Sequence, residues 1–197
     1  MKLIGLCGMS GSGITLVGSL FATEGYLHLD CDRLVHEKVY PRQDVQQRLV
    51  EAFGSEAVAE GKINRRYIAS VVFGNADQMN VLNALLQQPI LEELEKELTA
   101  SHKELILLDA PTLFESGLHR RCECVIGMIA PFNTCVERIM ARDGISKERA
   151  KARLSSQKDE AFLRKHCDHI LSNDGDIVRL TKQALRLAEQ IKKEIKA

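Results

Sequence analysis

Residues 2–15 read KLIGLCGMSGSGIT: an apolar run, glycines at 8, 11 and 13, then Ile14 and Thr15. The run over 2–7 has the continuity of a buried strand, and Ile14, Val17 and Phe21 recur at helical spacing over 14–23. A second short strand, GYLHLD (25–30), closes what reads as the opening βαβ unit of a parallel sheet, so an α/β fold is expected. The glycines let the backbone turn tightly with its N–H groups inward. The start of the helix adds unpaired N–H groups and a positive dipole end, and together these hold phosphate oxygens without side-chain charge. The pattern G-x-x-x-x-G-K-[ST] places a lysine where this chain has Ile14. An isoleucine neither donates a hydrogen bond nor neutralises phosphate; it offers packing beside Val17 and Phe21. The plainer alternative is a tight turn between strand and helix.

The 197 residues suit one α/β domain with an insertion. Lys plus Arg and Asp plus Glu number 27 each, so neither nucleic acid nor an acidic membrane is expected as a partner. No apolar run approaches the roughly 20 residues of a membrane span. The apolar stretch at the start is too short for a secretion signal, and a cytoplasmic protein is expected. The cysteines at 7, 31, 122, 124, 135 and 167 lack zinc-site spacing and are expected to be reduced, space-filling thiols. The histidines at 28, 36, 102, 119, 166 and 169 form no ligand-spaced cluster and are expected in loops or at the surface.

From 31 to 101 the chain reads as mostly helical. Helices over 32–40 and 43–53 are divided by Pro41, GKINRR (61–66) turns into a further helix, and a stripe of Leu82, Leu85, Leu86, Ile90, Leu94 and Leu98 straddles Pro89, where a bend or break is expected. KELILLDAP (103–111) and CECVIGMIAP (122–131) are continuous apolar strands, the second leading to a helix that carries Arg138 and Arg142. Residues 143–166 are charge-rich, and CDHILSNDG (167–175) holds a last short strand and loop. Ile177, Leu180, Ala184, Leu187 and Ile191 mark a closing amphipathic helix, with Lys192, Lys193 and Lys196 favouring the negative end of its dipole.

Asp30 and Asp32 fall at a strand end, where open α/β sheets place ligands. On an extended chain both carboxylates face one side, and one can take the proton from an attacking hydroxyl; helix capping is the alternative. Asp109, ending a buried strand, is placed to hold Mg²⁺ through water, with Glu115 a second candidate and turn chemistry the alternative. Thr15 sits where a hydroxyl would ligate the same metal. Arg138 and Arg142 share a helix face, as do Arg149 and Arg153. Forked guanidinium donors suit the charge spread over a transferring phosphoryl group, whereas Arg149 and Arg153 read as a solvated face.

Taken in order, these segments resemble the dephospho-coenzyme A kinases. LDCDRLVHEKV (29–39) stands in the place of the family's D-A-D segment, KINRR (62–66) follows, and LLDAPTLFESGL (107–118) matches its D-x-P-L-L-F-E stretch. RIMARDGISKERAKARLSSQ (138–157) matches its lid, and DHILSNDG (168–175) its closing nucleotide loop. The resemblance implies a P-loop kinase three-layer α/β/α core with a parallel sheet (1–30, 102–135 and 167–197), a helical acceptor-binding insertion (31–101) and a helical lid (136–166). It implies ATP and Mg²⁺ as cofactors, dephospho-coenzyme A as the second small-molecule substrate, and a monomer or weak homo-oligomer. The γ-phosphate would pass to the ribose 3′-hydroxyl, giving coenzyme A and ADP.

Carried over position by position, Asp32 is the base on that hydroxyl. Gly8, Gly11, Ser12, Gly13, Ile14, Thr15 and Leu16 form the nucleotide loop, with Thr15 and Asp109 on the metal. Arg138 stabilises the transferring group with Arg142 in support, Asn173 and Gly175 line the adenine pocket, and Asp32, Arg65 and Glu115 hold the acceptor. The chain departs from the family twice: at Ile14, and at Gln88-Pro89 where many members have His-Pro. Ile14 leaves two readings open. One is a kinase with activity reduced or rescued by another cation, such as Lys165; the other is a non-catalytic nucleotide or coenzyme A binding protein. A kinase for another small metabolite or nucleoside is a third.

Overall fold

The apolar run that opens the chain forms β1 (Lys2–Gly8), and the glycines turn it into α1 (Ile14–Thr23), whose Val17 and Phe21 are fully buried. β2 (Leu27–Asp30) follows. The structure, a computed structural model, describes residues 1–72 and 74–196, and only the backbone of Lys196, so the expectation for that lysine's charge lies outside the described residues. Two units are distinguished: Met1–Asp30 with Lys103–Ala197, and Cys31–His102.

In the second unit, α2 (Cys31–Leu34) passes into a π-helical turn over Val35–Val39 and is followed by α3 (Gln43–Phe53). The expected continuous helix over 32–40 is thus two kinds of helix. The chain also does not stay extended from Asp30 to Asp32: β2 ends at Asp30 and α2 begins at Cys31, so the alternation that would set both carboxylates on one side does not apply. A hairpin of β3 (Val58–Ala59) and β4 (Lys62–Ile63) comes next, turning at Glu60 and Gly61 with φ of 52° and 71°. Positive φ at both central residues is what a two-residue hairpin turn requires. The sequence showed only the turn, because strands of two residues leave no alternation to read.

α4 (Arg65–Val72) and α5 (Ala76–Ala100) complete this unit. α5 runs through Pro89 instead of breaking there. Leu85, Leu86, Leu94 and Leu98 are buried on both sides of the proline, and packing of that stripe offsets the lost hydrogen bond. Val39, Val45, Leu49, Phe53, Ile68 and Leu86 form the unit's core. Arg42 ties the start of α3 to α5 through Asp44 (2.8 Å), Glu92 (2.8 Å) and Glu93 (3.2 Å).

The first unit continues with β5 (Leu105–Asp109), β6 (Cys124–Ile129) and α6 (Phe132–Asp143). The charge-rich segment forms α7 (Lys147–Ser155) and α8 (Glu160–His166), and β7 (His169–Ser172) and α9 (Ile177–Lys196) close the chain. Among the described residues five strands make one parallel sheet in the order β2-β5-β1-β6-β7. Ile4, Leu6, Leu107, Ile126 and Met128 cover one face of it and pack on Val17 and Phe21 of α1 and Leu180, Ala184 and Ala188 of α9. β1 lies between β5 and β6, so its end at Gly8 shares the sheet's C-terminal edge with Asp109 and Asp30, the edge where such sheets bind ligands.

Candidate functional site

The loop after β1 is fixed by close approach. A Cβ at Gly8 would lie 2.4 Å from the Met128 carbonyl oxygen, one at Gly11 2.9 Å from that of Cys135, and one at Gly13 2.7 Å from Asn173 Nδ2. Gly11 and Gly13 also have φ of 81° and 103°, a backbone that side chains other than glycine rarely adopt. The first hydrogen bonds of α1 are those that the Leu16 and Val17 N–H groups donate to the Gly13 carbonyl (3.1 and 3.3 Å), so the N–H groups of Ile14 and Thr15 precede the helix's own ladder. Ser12 is wholly buried, and its Oγ has no hydrogen-bond partner among the described residues. A buried hydroxyl left unsatisfied costs about 1–3 kcal/mol, so this atom awaits an acceptor or donor from outside the chain.

Side chains brace the loop from behind. Arg138 on α6 donates from Nη1 to the Gly11 carbonyl (3.0 Å) and from Nη2 to Asn173 Oδ1 (3.4 Å). Asn173, just past β7, donates from Nδ2 to the Ser12 carbonyl (2.8 Å). One turn along α6, Arg142 donates to Ser10 Oγ (3.3 Å) and to Asp143 (2.7 and 3.0 Å). Asp143 also accepts from Arg153, and the hydrogen bonds from Arg142 hold its carboxyl below the usual carboxylate range. The Ser10 N–H donates to Gln157 Oε1 (2.9 Å). Asp143 and Gln157 were not singled out from the sequence; Asp143 is next to Arg142 but ten residues and a helix away from Arg153, so no local spacing marked the pair of arginines on it.

Ile14 and Leu16 are half-buried and pack against the core shared by α1, α9 and the sheet, while Thr15 is exposed. Lys165 is exposed in the last turn of α8. Gly175, with φ of 111°, turns the chain between β7 and α9, where Asp174 pairs with Arg179 at 2.9 Å. Glu115 is exposed and lies 3.7 Å from Lys158.

Asp109 is buried at the end of β5, and burial pushes its carboxyl upward; His28, whose Nε2 lies 3.3 Å from Asp109 Oδ2, opposes that rise, and the charge of Asp30 adds to it. His28 is therefore no surface or loop histidine. It sits on β2 with its ring against Gly18 of α1.

Asp32 and Arg65 belong to the helical unit. Both act on Tyr40, whose hydroxyl is pushed up by burial, pulled back by Arg65 and raised further by Asp32. Arg65 and Tyr40 line a cavity of about 240 Å³ with Leu49, Ile63, Ile68 and Leu82. Among the described residues no three His, Cys, Asp or Glu side chains cluster to hold a metal, and no helix is long and apolar enough to cross a membrane.

Comparison with known proteins agrees with the order of these segments. The sequence profile of the dephospho-CoA kinase family matches residues 2–179. A dephospho-CoA kinase of Corynebacterium efficiens is 32% identical over 200 residues, covering 100% of both chains, and that of Carboxydothermus hydrogenoformans is 30% identical over 196 residues, covering 98% of this chain and 95% of its own. A crystal structure from Thermus thermophilus superposes with a TM-score of 0.85 at 32% identity, covering 96% of each chain. A dephospho-CoA kinase from Campylobacter jejuni, at 20% identity and a TM-score of 0.60 over 96% of this chain and 97% of its own, shares the fold.

Proposed function

The chain belongs to the dephospho-CoA kinase family, and we propose that it transfers the γ-phosphate of ATP to the ribose 3′-hydroxyl of dephospho-coenzyme A. The observation that carries the proposal is the loop over 8–15. Its glycines leave no room for a Cβ, its helix end presents the Ile14 and Thr15 N–H groups ahead of the first intrahelical bonds, and Ser12 Oγ is buried without a partner among the described residues. These features fit the phosphate chain of a nucleotide.

In this reading the loop over Gly11, Ser12, Gly13, Ile14, Thr15 and Leu16 surrounds the phosphates and holds them through the backbone N–H groups of Gly11, Gly13, Ile14 and Thr15 and through the Ser12 hydroxyl, while the Ser12 and Leu16 N–H groups close the turn on the Met9 and Gly13 carbonyls. Arg138 uses two donors on Gly11 and Asn173, and a guanidinium has five, so the remainder can meet the transferring group. Arg142 supports it from the next turn, and Asn173 and Gly175 border the adenine. Thr15 and Asp109 would hold Mg²⁺, which takes one or two protein oxygens and fills its remaining positions from phosphates and water. When bound, the metal neutralises charge on the phosphate oxygens. Asp32 takes the proton of the acceptor hydroxyl. Arg65, beside Tyr40 and the 240 Å³ cavity, provides a cation and an apolar surface for the acceptor in the insertion, with Glu115 as a further acceptor contact.

One observation favours a second reading. Ile14 turns to the core, so the loop lacks the cation the motif usually supplies, and a protein that binds nucleotide or coenzyme A without transfer has the same geometry. The deciding assay follows coenzyme A formation from ATP, Mg²⁺ and dephospho-coenzyme A, beside a panel of nucleoside and small-metabolite acceptors. Product from dephospho-coenzyme A alone is expected. Preference for a nucleoside monophosphate would overturn the acceptor, and binding with no product from any acceptor would leave the second reading.

A further inference from the structure

Asp109 has a partner that no step above uses. On paired parallel strands His28 stands opposite Leu107 and Asp30 opposite Asp109, so His28 and Asp109 are diagonal neighbours on one face of the sheet. That face packs on α1, since Leu107 shares its core with Val17 and Phe21. Both side chains are largely shielded from water, with relative exposures of 17% for His28 and 9% for Asp109. With Asp109 ionised, as a metal-facing carboxylate is, the group only accepts hydrogen bonds and His28 Nε2 is the donor in this contact.

Gly18 completes the arrangement. A Cβ there would lie 2.2 Å from His28 Cε1 and 2.4 Å from Nε2, inside the ring's own space. Glycine in the interior of a helix is less favourable than alanine, so its presence one turn into α1 needs a reason, and the histidine ring supplies it.

We propose that His28 is the positioning residue for Asp109, fixing one carboxylate oxygen so that the group faces the divalent cation of the bound nucleotide, and that Gly18 is the gap in α1 that admits the ring. The proposal rests on the reading of Asp109 as metal-facing. Partners that orient a metal ligand typically change metal affinity or activity about 10–100-fold when removed, which sets the expected scale.

The test uses the full chain with a non-hydrolysable ATP analogue and Mn²⁺, read by water-proton relaxation enhancement, beside nucleotide affinity in chelator. His28→Ala is expected to weaken Mn²⁺–nucleotide binding about 10-fold or more while metal-free nucleotide affinity stays unchanged. His28→Gln, whose amide can donate from nearly the same point, should recover the affinity. Gly18→Ala should reproduce the loss although it favours the helix, and should add nothing in the His28→Ala background, where the ring it displaces is gone. Unchanged Mn²⁺ affinity in His28→Ala, failure of the glutamine to recover it, or losses that multiply in the double variant would each overturn the proposal. The kinase reading fails separately: these shifts without any coenzyme A formation sink phosphoryl transfer and leave the positioning role, and product formation with unshifted Mn²⁺ affinity does the reverse.

Discussion

Replacing Ile14 with lysine restores the loop's missing cation, and the structure sets both sides of the expected change. Full burial of an isoleucine is worth about 1.5–3 kcal/mol, and this one is half-buried against the core of α1, α9 and the sheet. A lysine keeps part of that contact with its methylene stem, so the loss in stability is about 1 kcal/mol or less, or a fall of roughly 2–4 °C in Tm. Against this, a charge-assisted hydrogen bond to the phosphates contributes about 1.5–3 kcal/mol. At about 1.36 kcal/mol per factor of ten, that is roughly 10–150-fold in turnover. Removal of single transition-state donors elsewhere costs about 10²–10³-fold, so a gain near 10²-fold is expected.

The assay is the initial rate of coenzyme A formation at saturating ATP, Mg²⁺ and dephospho-coenzyme A, with Tm recorded for each protein. Ile14→Met is the control, because it keeps the apolar contact without the charge and should turn over like the native chain. A lysine variant that folds and binds ATP but is no faster would refute the reasoning. It would mean that the charge at the phosphates is already supplied by another group.

Arg138→Ala removes the donors to Gly11 and Asn173 as well as the forked cation, so it should lower turnover about 10²–10³-fold in single-turnover experiments and weaken ATP binding. Gly13→Ala forces a Cβ against Asn173 at φ of 103°, and ATP should no longer protect the variant from heat; intact protection would show that the loop can relax. Cys167 should be the first thiol alkylated by iodoacetamide, read by peptide mass spectrometry, because Cys7, 4.0 Å away, hydrogen-bonds to it and lowers it, whereas burial pushes Cys122 up to about 11 and Cys124 up to about 12. Hydrogen bonds from Arg42 lower the carboxyls of Asp44 and Glu92, so their contribution is full above about pH 4.5 and is lost as the pH falls through their lowered values. Arg42→Ala should therefore reduce resistance to urea at neutral pH, with the difference from the native chain shrinking in acid; a constant gap would count against the ion pairs.

What the sequence disclosed and what it hid divide along physical lines. The loop over 8–15 was legible because its constraint is local: glycine spacing, a strand before and a helix after. The central strands were legible because burial on both faces leaves continuous apolar runs such as LILLD over 105–109. The bracing of the loop was not, because Arg138, Asn173 and Gln157 reach it from 127 to 161 residues away and only tertiary structure brings them together. His28 was hidden for a related reason. Its partner lies on another strand and its space is made by a glycine on a helix, so no pattern within the β2 segment marks it. Pro89 misled because its local cost is real but smaller than the packing of the leucines around it.

The bracing also bears on what a loop without lysine has lost. On the proposed kinase reading the groups that meet phosphate are backbone N–H donors whose directions are set by φ at Gly11 and Gly13, and those angles are held by Arg138 on the Gly11 carbonyl and Asn173 on the Ser12 carbonyl. None of these contacts passes through the side chain at 14, which packs with the core. On that reading the shape of the loop is independent of the residue at 14, and only its charge differs from the lysine-bearing motif. Shape governs how well the ground-state phosphates are held, whereas charge matters most as it develops in transfer. Ile14 should therefore act on turnover more than on ATP affinity. An Ile14→Lys variant that tightened ATP binding as much as it raised the rate would show instead that lysine and backbone form one inseparable phosphate site.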